Sequence, residues 1–506
     1  MEVCIDGNSL TIEDVVAVAR GHALVAISEH AEARVRECAA LVQRLVDEGK
    51  AIYGVTTGIG EFSRIMLSKA DGEALQRKII YSHSAGTGNP LSEDEVRASI
   101  LLRANTLAKG NSGVRLSTLN TMLQMLNRNV VPIIYEKGSL GASGDLSPLS
   151  QMAEVIIGEG EALYKGRRMS GGEAMRAAGI APVVLTFKEG LGLINGTQVI
   201  TALGALSVHD AETLMKVAEI ASAMSLDALR ANVSSLDPRI HELRRFPGQI
   251  KVAEHLRRML EGSEILSDPA RKVQDAYSLR CVPQILGASR DAIGYVRRQI
   301  ETEMNALSDN PIFVPEDGVH LSCGNFHGQY TAMSLDFLAI AVAEIADLSE
   351  RHTNRLMNPA LSGLPDFLVE GKGLNSGLMV AQYTAAALVS ENKVLCHPAV
   401  VDSIPVSADQ EDHVSMGNTA ALKLREVVRN TGTVLAIEIL SAVQALDFRA
   451  PVRPGKGVQP VHEAVRSAVP HLHEDRILHP DIEKLRRMVW DGTLIRAAEG
   501  AIGRLE

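Results

Sequence analysis

The chain has 506 residues, of which 46% are hydrophobic and 22% charged, and its formal net charge is −10. A chain of this length can bury a large core, and the composition is typical of a globular protein. The acidic charge, without any basic cluster, argues against nucleic acid as a partner. Aromatic residues make up only 3%. The core must therefore consist mostly of aliphatic side chains, which favours packed helices.

Five cysteines lie far apart and never in CxxC spacing. This arrangement predicts reduced thiols in a cytoplasmic protein, with neither a disulfide framework nor a zinc site. The N-terminus carries acidic residues where a signal peptide would carry Lys or Arg, so we expect no export. The longest apolar stretches, 333–348 and 434–446, contain acidic residues. We interpret them as buried bundle helices and expect no membrane contact.

The first half of the chain alternates helical patterns with loops. A short extended start precedes an amphipathic helix over about Glu29 to Glu48. The stretch AIYGVTTGIG, 51–60, has no helical period and predicts an ordered loop of the kind that carries function. Helical spacing returns over 71–83, 92–109 and 116–129. Short β elements are expected around 161–168 and 183–187.

Beyond Asn195 the pattern becomes long and helical, over about 196–228, 285–306, 329–357, 378–395 and 416–446. The predicted fold class is therefore mainly α, a long antiparallel helix bundle with an N-terminal α-rich region that carries loops and a few short β-strands. We divide the chain into an N-terminal region, 1–200, and a bundle region, 201–506. The charged and proline-containing stretch 226–272 predicts an irregular surface excursion.

Residues 138–150 read GSLGASGDLSPLS, with Ala142-Ser143-Gly144 at the centre. Gly144 has no side chain to hinder its amide nitrogen and can adopt the positive φ of a kinked loop. Attack of that nitrogen on the Ala142 carbonyl carbon would close a five-membered ring. Loss of water from the ring and of the Ser143 hydroxyl would leave a methylidene carbon, an electrophile that no ordinary side chain supplies. Taken alone, the tripeptide more often means a flexible turn.

The longer segment GSLGASGDLSPLSQMAEVIIGEGEA resembles the cofactor loop of the histidine and aromatic amino acid ammonia-lyases, in which the tripeptide becomes 4-methylideneimidazole-5-one. The resemblance covers nearly the whole chain. It implies a mainly helical fold and a homotetramer whose active sites combine several subunits. It implies neither metal nor nucleotide, and the segment lacks the Lys-Ser/Thr of a phosphate loop. The expected catalytic residues are Tyr53, Ala142, Ser143 and Gly144.

Tyr53 in AIYGVTTGIG matches the family tyrosine assigned to proton abstraction. A phenol has a reference pKa of about 10, so this role requires neighbours that favour phenolate. The heptapeptide QDAYSLR, 274–280, resembles the family's QDxYSLR block. Because a guanidinium can bind a carboxylate through two parallel hydrogen bonds, Arg280 is the expected carboxylate anchor. Gln274 and Tyr277 are expected in the same pocket.

Five further positions match pocket residues of the family. By resemblance, Asn195 in GLGLINGTQ binds near the ring and the substrate amine, and Phe326 in CGNFHG packs against the ring. His83 stands where phenylalanine-specific relatives tend to carry apolar residues, and Met379 matches a methionine of histidine lyases. Glu411 is a carboxylate that suits an imidazole N–H and would be costly beside a phenyl ring. These features favour histidine as substrate.

We therefore expect an enzyme that converts L-histidine to trans-urocanate and ammonia. Lys78, Val400 and Asp409 depart from the residues that relatives often carry beside substrate-determining segments. A tyrosine or phenylalanine lyase, or a 2,3-aminomutase, is the alternative. From another class, a catalytically inactive helical scaffold would keep the fold without forming the ring. The histidines near the C-terminus are interpreted as solvated surface rather than a metal site; they are His462, His471, His473 and His479.

Overall fold

Helices account for most of the protein, whose computed structural model describes residues 2–267 and 273–506. The helices up to residue 194 are α1 (Ile12–Ala19), α2 (Glu29–Asp47), α3 (Lys69–His83), α4 (Glu93–Ala108), α5 (Leu116–Asn127), α6 (Leu146–Ile156), α7 (Gly171–Ala177) and α8 (Glu189–Ile194). The helices that follow are α9 (Gln198–Ala228), α10 (Pro238–Arg244), α11 (Pro247–Leu260), α12 (Tyr277–Arg280), α13 (Val282–Met304), α14 (Gln329–Met357), α15 (Pro359–Ser362), α16 (Met379–Leu395), α17 (Gly417–Asp447), α18 (Val458–Ala468), α19 (His479–Trp490) and α20 (Thr493–Ile502).

The strands are short and form small separate sheets. They are β1 (Glu2–Ile5), β2 (Leu24–Ile27), β3 (Thr87–Pro90), β4 (Val131–Pro132), β5 (Tyr135–Lys137), β6 (Glu161–Tyr164), β7 (Arg167–Ser170), β8 (Ile312–Val314) and β9 (Val319–Leu321). β1 pairs with β2 in parallel, whereas β3–β5, β4–β6–β7 and β8–β9 are antiparallel. The predicted fold class, mainly α with long helices and a few short strands, is confirmed.

Local capping signals mark several helix starts. Thr11 and Ser92 form capping boxes at α1 and α4, and the Ser28 hydroxyl accepts the Ala31 amide at α2. Each cap satisfies backbone N–H groups that have no partner inside the helix. Downstream of its cap, α4 is buried on all sides over 95–108. A helix with no exposed face must pack centrally.

The described residues form two compact units. The first contains Met1–His209, Val296–Asp336 and Pro398–Leu422, and the second contains Asp210–Tyr295, Phe337–His397 and Lys423–Glu506. The division at residues 200 and 201 stays a prediction. Within the part of the chain that the structure describes, no helix is long and apolar enough to cross a membrane.

One core cluster of the first unit holds the loop that carries Tyr53. The buried face of α2, which includes Leu41 and Leu45, packs with Ile52 and Val55 of the loop. Both loop residues are fully buried, and the Ile52 carbonyl accepts the amides of the next turn. Tyr53, between these two anchors, is only half-buried. The core thus fixes the loop backbone on both sides of the tyrosine.

The expectation of an irregular stretch over 226–272 was wrong. It contains α10 and α11, and α11 buries Val252, Leu256 and Met259. The prolines that suggested a break, Pro238 and Pro247, each stand in the first turn of a helix. There a missing N–H removes no helical hydrogen bond. Residues 268–272 lie outside the described residues.

The β element expected over 183–187 is also absent from the described structure, whereas that over 161–168 is the β6–β7 hairpin. The Val183 amide donates to the Ile156 carbonyl at the end of α6. The Val184 carbonyl accepts from the Arg115 guanidinium at 2.6 Å. Because these backbone groups bond to a helix end and a side chain, they form no ladder with a strand.

The interpretation of the C-terminal histidines as solvated surface was wrong for two of them. His462 and His471 both contact the Asp447 carboxylate, at 2.7 Å and 2.5 Å, and Arg466 contacts it at 2.6 Å. Burial alone would raise the pKa of Asp447, but these three partners hold it well below its usual range. The other two histidines of the set, His473 and His479, are exposed.

Candidate active site

A cavity of about 1070 Å³ lies in the first unit. Small-molecule sites commonly measure about 300–1,000 Å³, so this cavity could hold a small substrate with room to spare. The predicted site residues among its lining side chains are Tyr53, His83, Ala142, Ser143, Asn195, Phe326 and Glu411. They come from distant stretches of the chain that the fold brings together.

The tripeptide loop depends on two glycines in the left-handed region. Gly141 has φ +64° and Gly144 has φ +71°. Gly144 forms a parallel backbone bridge with Gly196, and the Asp145 amide donates to the Gly196 carbonyl at 2.7 Å. A Cβ on Gly144 would collide with the Gly196 backbone. Only glycine fits this position, because both the conformation and the close approach exclude a side chain.

Asp145 ties the tripeptide loop to the start of α9. Its carboxylate accepts the Ser139 hydroxyl at 2.7 Å and the Ile200 amide at 2.9 Å. The side chain is fully buried, and burial raises the pKa of Asp145 to about 7. These two hydrogen bonds satisfy the buried carboxyl group and hold the loop rigidly against α9.

Asn195 connects the tripeptide with a buried arginine. Its Nδ2 donates to the Ser143 carbonyl at 2.9 Å. The backbone carbonyl of Asn195 accepts a hydrogen bond from Arg103. The guanidinium of Arg103 is fully buried and also donates to the Gly192 and Ser308 carbonyls. Arg103 was not among the predicted site residues. The signal that could have found it is a single charge within the apolar run of α4, SILLRANTLA.

The Tyr53 phenol oxygen accepts a hydrogen bond from the Gly60 amide at 2.9 Å. Burial raises the pKa of Tyr53, and the Glu411 carboxylate raises it further, whereas the Gly60 amide lowers it. The net direction is upward. Among the described residues of this chain, the Gly60 amide is the neighbour that favours phenolate.

Glu411 lies against the tripeptide, where its Oε1 accepts the Ser143 hydroxyl at 2.7 Å. It pairs with Val406 through an antiparallel bridge that closes a tight turn. The intervening residues Ser407, Ala408 and Asp409 all have positive φ. Such a turn is strained for residues other than glycine, so the surrounding structure must hold it in place.

His83 presents a hydrogen-bond acceptor to the cavity. Its Nδ1 contacts the Ile79 carbonyl at 2.8 Å. Because a carbonyl only accepts, Nδ1 carries the hydrogen, and Nε2 of the neutral ring keeps a free lone pair. Burial lowers the pKa of His83, opposed by Ile79 and Glu411. The neutral form is therefore favoured, and His83 and Glu411 both suit a ligand that donates N–H.

Four other predicted residues belong to the second unit and are not among the residues that line this cavity. Gln274, Tyr277 and Arg280 form one cluster there. The Gln274 amide oxygen faces the guanidinium and accepts from its Nη2 at 3.3 Å, and the guanidinium stacks on the Tyr277 ring at 4.7 Å. Arg280 Nε has no partner among the described residues. Met379 is the first residue of α16.

Comparisons with known proteins match this chain to amino acid lyases over nearly its full length. A family model described as aromatic amino acid lyase matches residues 10–467. The histidine ammonia-lyase of Alkaliphilus oremlandii strain OhILAs is 56% identical and covers 99% of both chains. That of Caldanaerobacter subterraneus subsp. tengcongensis is 55% identical over 97% of both.

Solved structures similar to this chain include enzymes with different substrates. Histidine ammonia-lyase from Trypanosoma cruzi is 43% identical, with a TM-score of 0.92 and coverage of 99% of this chain and 96% of that one. Tyrosine aminomutase from Streptomyces globisporus is 39% identical, with a TM-score of 0.94 and coverage of 99% of both. The fold alone therefore does not separate these activities.

Replacing Glu411 by Gln should lower the pKa of Tyr53, because it removes the negative charge that disfavours phenolate. During alkaline titration, the tyrosinate absorbance of Tyr53 is obtained by subtracting the absorbance of Y53F from that of the wild type, and the absorbance of the Y53F/E411Q double variant from that of E411Q. E61Q is the matched control, because Glu61 lines the same cavity but is not among the groups that shift the pKa of Tyr53. An unchanged Tyr53 titration in E411Q would contradict the interaction.

Proposed function

The chain belongs to the aromatic amino acid lyase family, and from that premise we propose that it eliminates ammonia from L-histidine to form trans-urocanate. Histidine ammonia-lyases with 50–56% identity over nearly the full length support this substrate. The observation that carries the proposal is the pairing of His83 and Glu411, two acceptors at one cavity. An imidazole ring offers one N–H donor when neutral and two when protonated, and a phenyl ring offers none.

We infer that Ala142-Ser143-Gly144 forms 4-methylideneimidazole-5-one, and the local structure fits this group. Gly144 is in the left-handed conformation and has no side chain to hinder its backbone nitrogen. The side-chain amide of Asn195 donates a hydrogen bond to the Ser143 carbonyl. When present, the ring supplies an electrophilic methylidene carbon. No group of three or more His, Cys, Asp or Glu side chains suited to a metal lies within 2–267 and 273–506.

Glu411 gains a second role from this modification. In the unmodified chain its Oε1 is occupied by the Ser143 hydroxyl. Ring formation removes that hydroxyl, so the carboxylate loses its donor and can accept an N–H from the substrate. A carboxylate left without a donor at a half-buried position is costly beside an apolar ring. Glu411 thus favours imidazole over phenyl.

The remaining chemistry is assigned to Tyr53 and the Arg280 cluster. Tyr53, as the phenolate, removes the β-hydrogen of the substrate and becomes the neutral phenol, and the Gly60 amide stabilises the phenolate that precedes this step. Arg280 binds the substrate carboxylate, with Gln274 and Tyr277 holding the guanidinium in place. Such positioning can supply a large share of the rate enhancement in an elimination.

Two other predicted residues would contact the ring of the substrate or of the cofactor. Phe326 is half-buried at the cavity, and Met379 stands at the start of α16. Both are apolar and can pack against planar rings. We assign Phe326 to the cofactor side and Met379 to the substrate imidazole.

We propose that the protein acts as a cytoplasmic homotetramer in which Tyr53 and Arg280 of one active site come from different subunits. The support is the exposed apolar face of α14, where Tyr330, Met333, Phe337 and Ile340 follow helical spacing. Contiguous exposed apolar residues of this kind mark protein interfaces. The cytoplasmic location is supported by five cysteines that are all free thiols.

Ring formation predicts that the intact mass of the folded protein is lower than the sequence mass by two waters. G144A should keep the full sequence mass, because its Cβ collides with the Gly196 backbone and the left-handed conformation is strained. S143A should lose no more than one water, since it has no hydroxyl to eliminate. Intact-mass spectrometry of folded proteins checks this. An unmodified mass in fully folded wild-type protein would refute the cofactor.

Turnover of separately supplied amino acids tests the substrate. We expect histidine to be converted, with the absorbance of urocanate appearing, and tyrosine and phenylalanine to be poor substrates. E411Q should lower kcat/KM for histidine by roughly 10- to 100-fold, because a hydrogen bond to a charged group is lost. E61Q serves again as the control. Strong turnover of tyrosine without turnover of histidine, or a β-amino acid product, would favour the tyrosine or phenylalanine lyase or the aminomutase alternative.

Mixing inactive variants tests the shared site. Y53F and R280M should each be inactive, but co-expression should restore part of the activity, because some sites then combine wild-type Tyr53 with wild-type Arg280. Y53F mixed with S143A should show no rescue, since one chain contributes both residues to the same cavity. Absence of rescue for the first pair in proven mixed oligomers would refute sharing between subunits.

A further inference from the structure

The turn that carries Arg280 cannot hold its own orientation. α12 has only four residues, too few for a stable isolated helix. Tyr277 at its start is 71% exposed. The orientation of Arg280 must therefore come from contacts between this turn and the rest of the second unit.

One such contact lies before the turn and another within it. The Asn232 amide donates to the Asp275 carboxylate at 2.6 Å. Inside the turn, the Ser278 carbonyl accepts from Nε2 of His352, on α14, at 2.7 Å. Ser278 is only two residues from Arg280, so this bond fixes the backbone that presents the guanidinium.

His352 is itself held by a buried carboxylate. Its Nδ1 donates to Glu438 Oε1, on α17, at 2.7 Å, and the Ser225 hydroxyl donates to the same oxygen at 2.7 Å. His352 and Glu438 are both buried. A carbonyl and a carboxylate oxygen can only accept, so both ring nitrogens must carry hydrogen. His352 is therefore an imidazolium paired with Glu438.

The charges around the ring agree with this assignment. Burial alone would lower the pKa of His352, and the nearby Arg355 guanidinium lowers it too. The Glu438 carboxylate and the Ser278 carbonyl outweigh both and raise the pKa of His352 above its usual value. The imidazolium thus persists to higher pH than an ordinary histidine would allow.

We propose that His352 is a positioning residue for carboxylate binding: its imidazolium, fixed by Glu438, holds the Ser278 carbonyl and thereby the turn that presents Arg280 to the substrate. The proposal rests on the proposed role of Arg280 as carboxylate anchor. Arg280 Nε is buried and has no partner among the described residues, so the hydrogen-bonding capacity of the guanidinium is not used up within this unit.

A second buried histidine of the same unit provides a matched control. His255 Nδ1 contacts Glu219 Oε2 at 2.6 Å, and both side chains are fully buried. Its Nε2, however, has no partner in the described chain. H255Q therefore removes a comparable buried His–Glu pair without touching the Arg280 turn.

The test compares the binding of two ligands with the same imidazole-ethyl frame to the intact enzyme: imidazolepropionate, which ends in a carboxylate, and histamine, which ends in an amine instead. In H352Q, the affinity for imidazolepropionate should fall by roughly 10- to 100-fold, because a hydrogen bond to a charged group that fixes the turn is lost. Histamine should bind as to the wild type, and the KM for histidine should rise more than kcat falls. H255Q should leave the ratio of the two affinities unchanged.

A double-mutant cycle with R280M decides between positioning and general loosening. If His352 acts through Arg280, H352Q adds little to the loss of imidazolepropionate affinity already caused by R280M. Equal losses for both ligands in H352Q, or additive effects in the double variant, would overturn the proposal. Should H352Q fail to fold, E438Q makes the same test, because it removes the charge that fixes the imidazolium.

Failure of the proposed function gives a different result. Wild-type protein would then neither turn over histidine nor bind imidazolepropionate. The same comparison is then made with the carboxylate-bearing and decarboxylated analogues of whichever amino acid the enzyme converts. A carboxylate-selective loss in H352Q supports the positioning role for that substrate, and a loss shared by both analogues overturns it.

Discussion

The contact between the backbones of Gly144 and Gly196 is the constraint on which the cavity depends. Two chain segments far apart in sequence approach so closely that a Cβ on Gly144 would collide with the Gly196 backbone, and Gly196 itself is enclosed by Arg103 and Ser308. Their bridge brings the Asn195 amide to the Ser143 carbonyl and the Asp145 amide to the Gly196 carbonyl. A single added methyl group would separate the segments and break both bonds. The position of the tripeptide is thus a consequence of backbone packing rather than of side-chain contacts.

Buried polar groups make that packing unique. Asp145 follows Gly144 in the chain, and Arg103 donates to the backbone carbonyl of Asn195, next to Gly196. Both side chains are fully buried and bonded to backbone groups of other segments. Unpaired, either group would destabilise the fold by several kcal/mol, on the order of a large share of the total stability. Satisfied, they hold the loops in one arrangement, because any shift leaves a buried charge without a partner. Rigidity of this kind suits the proposed electrophile, which would be built from the backbone itself.

Features that depend on contiguous residues, such as helices and local motifs, can be predicted from the sequence. The helical fold class follows from periodicity and composition, and GSLGASGD, AIYGVTTGIG and QDAYSLR point to their loops without help from the structure. Contacts over long sequence separations were missed, as with Arg103, which bonds to Ser308, and His352, which bonds to Ser278. Pro238 and Pro247 led to the wrong prediction of an irregular stretch for another reason, because proline interrupts a helix at interior positions but is favoured in its first turn. A pattern read one position at a time does not distinguish these roles.

In the proposed function, substrate choice and reaction depend on different residues of the chain. A guanidinium such as that of Arg280 can donate hydrogen bonds to the carboxylate of any amino acid, so it would contribute affinity without selecting a side chain. In the proposed function, the acceptors His83 and Glu411 make the selection, because a ligand with no hydrogen-bond donor would leave a carboxylate desolvated and unpaired. Relatives with the same fold can therefore act on histidine or tyrosine, as the names of the similar structures indicate. On this proposal, selection needs only a few side chains of the cavity, whereas the elimination needs the whole backbone frame around Gly144 and Gly196.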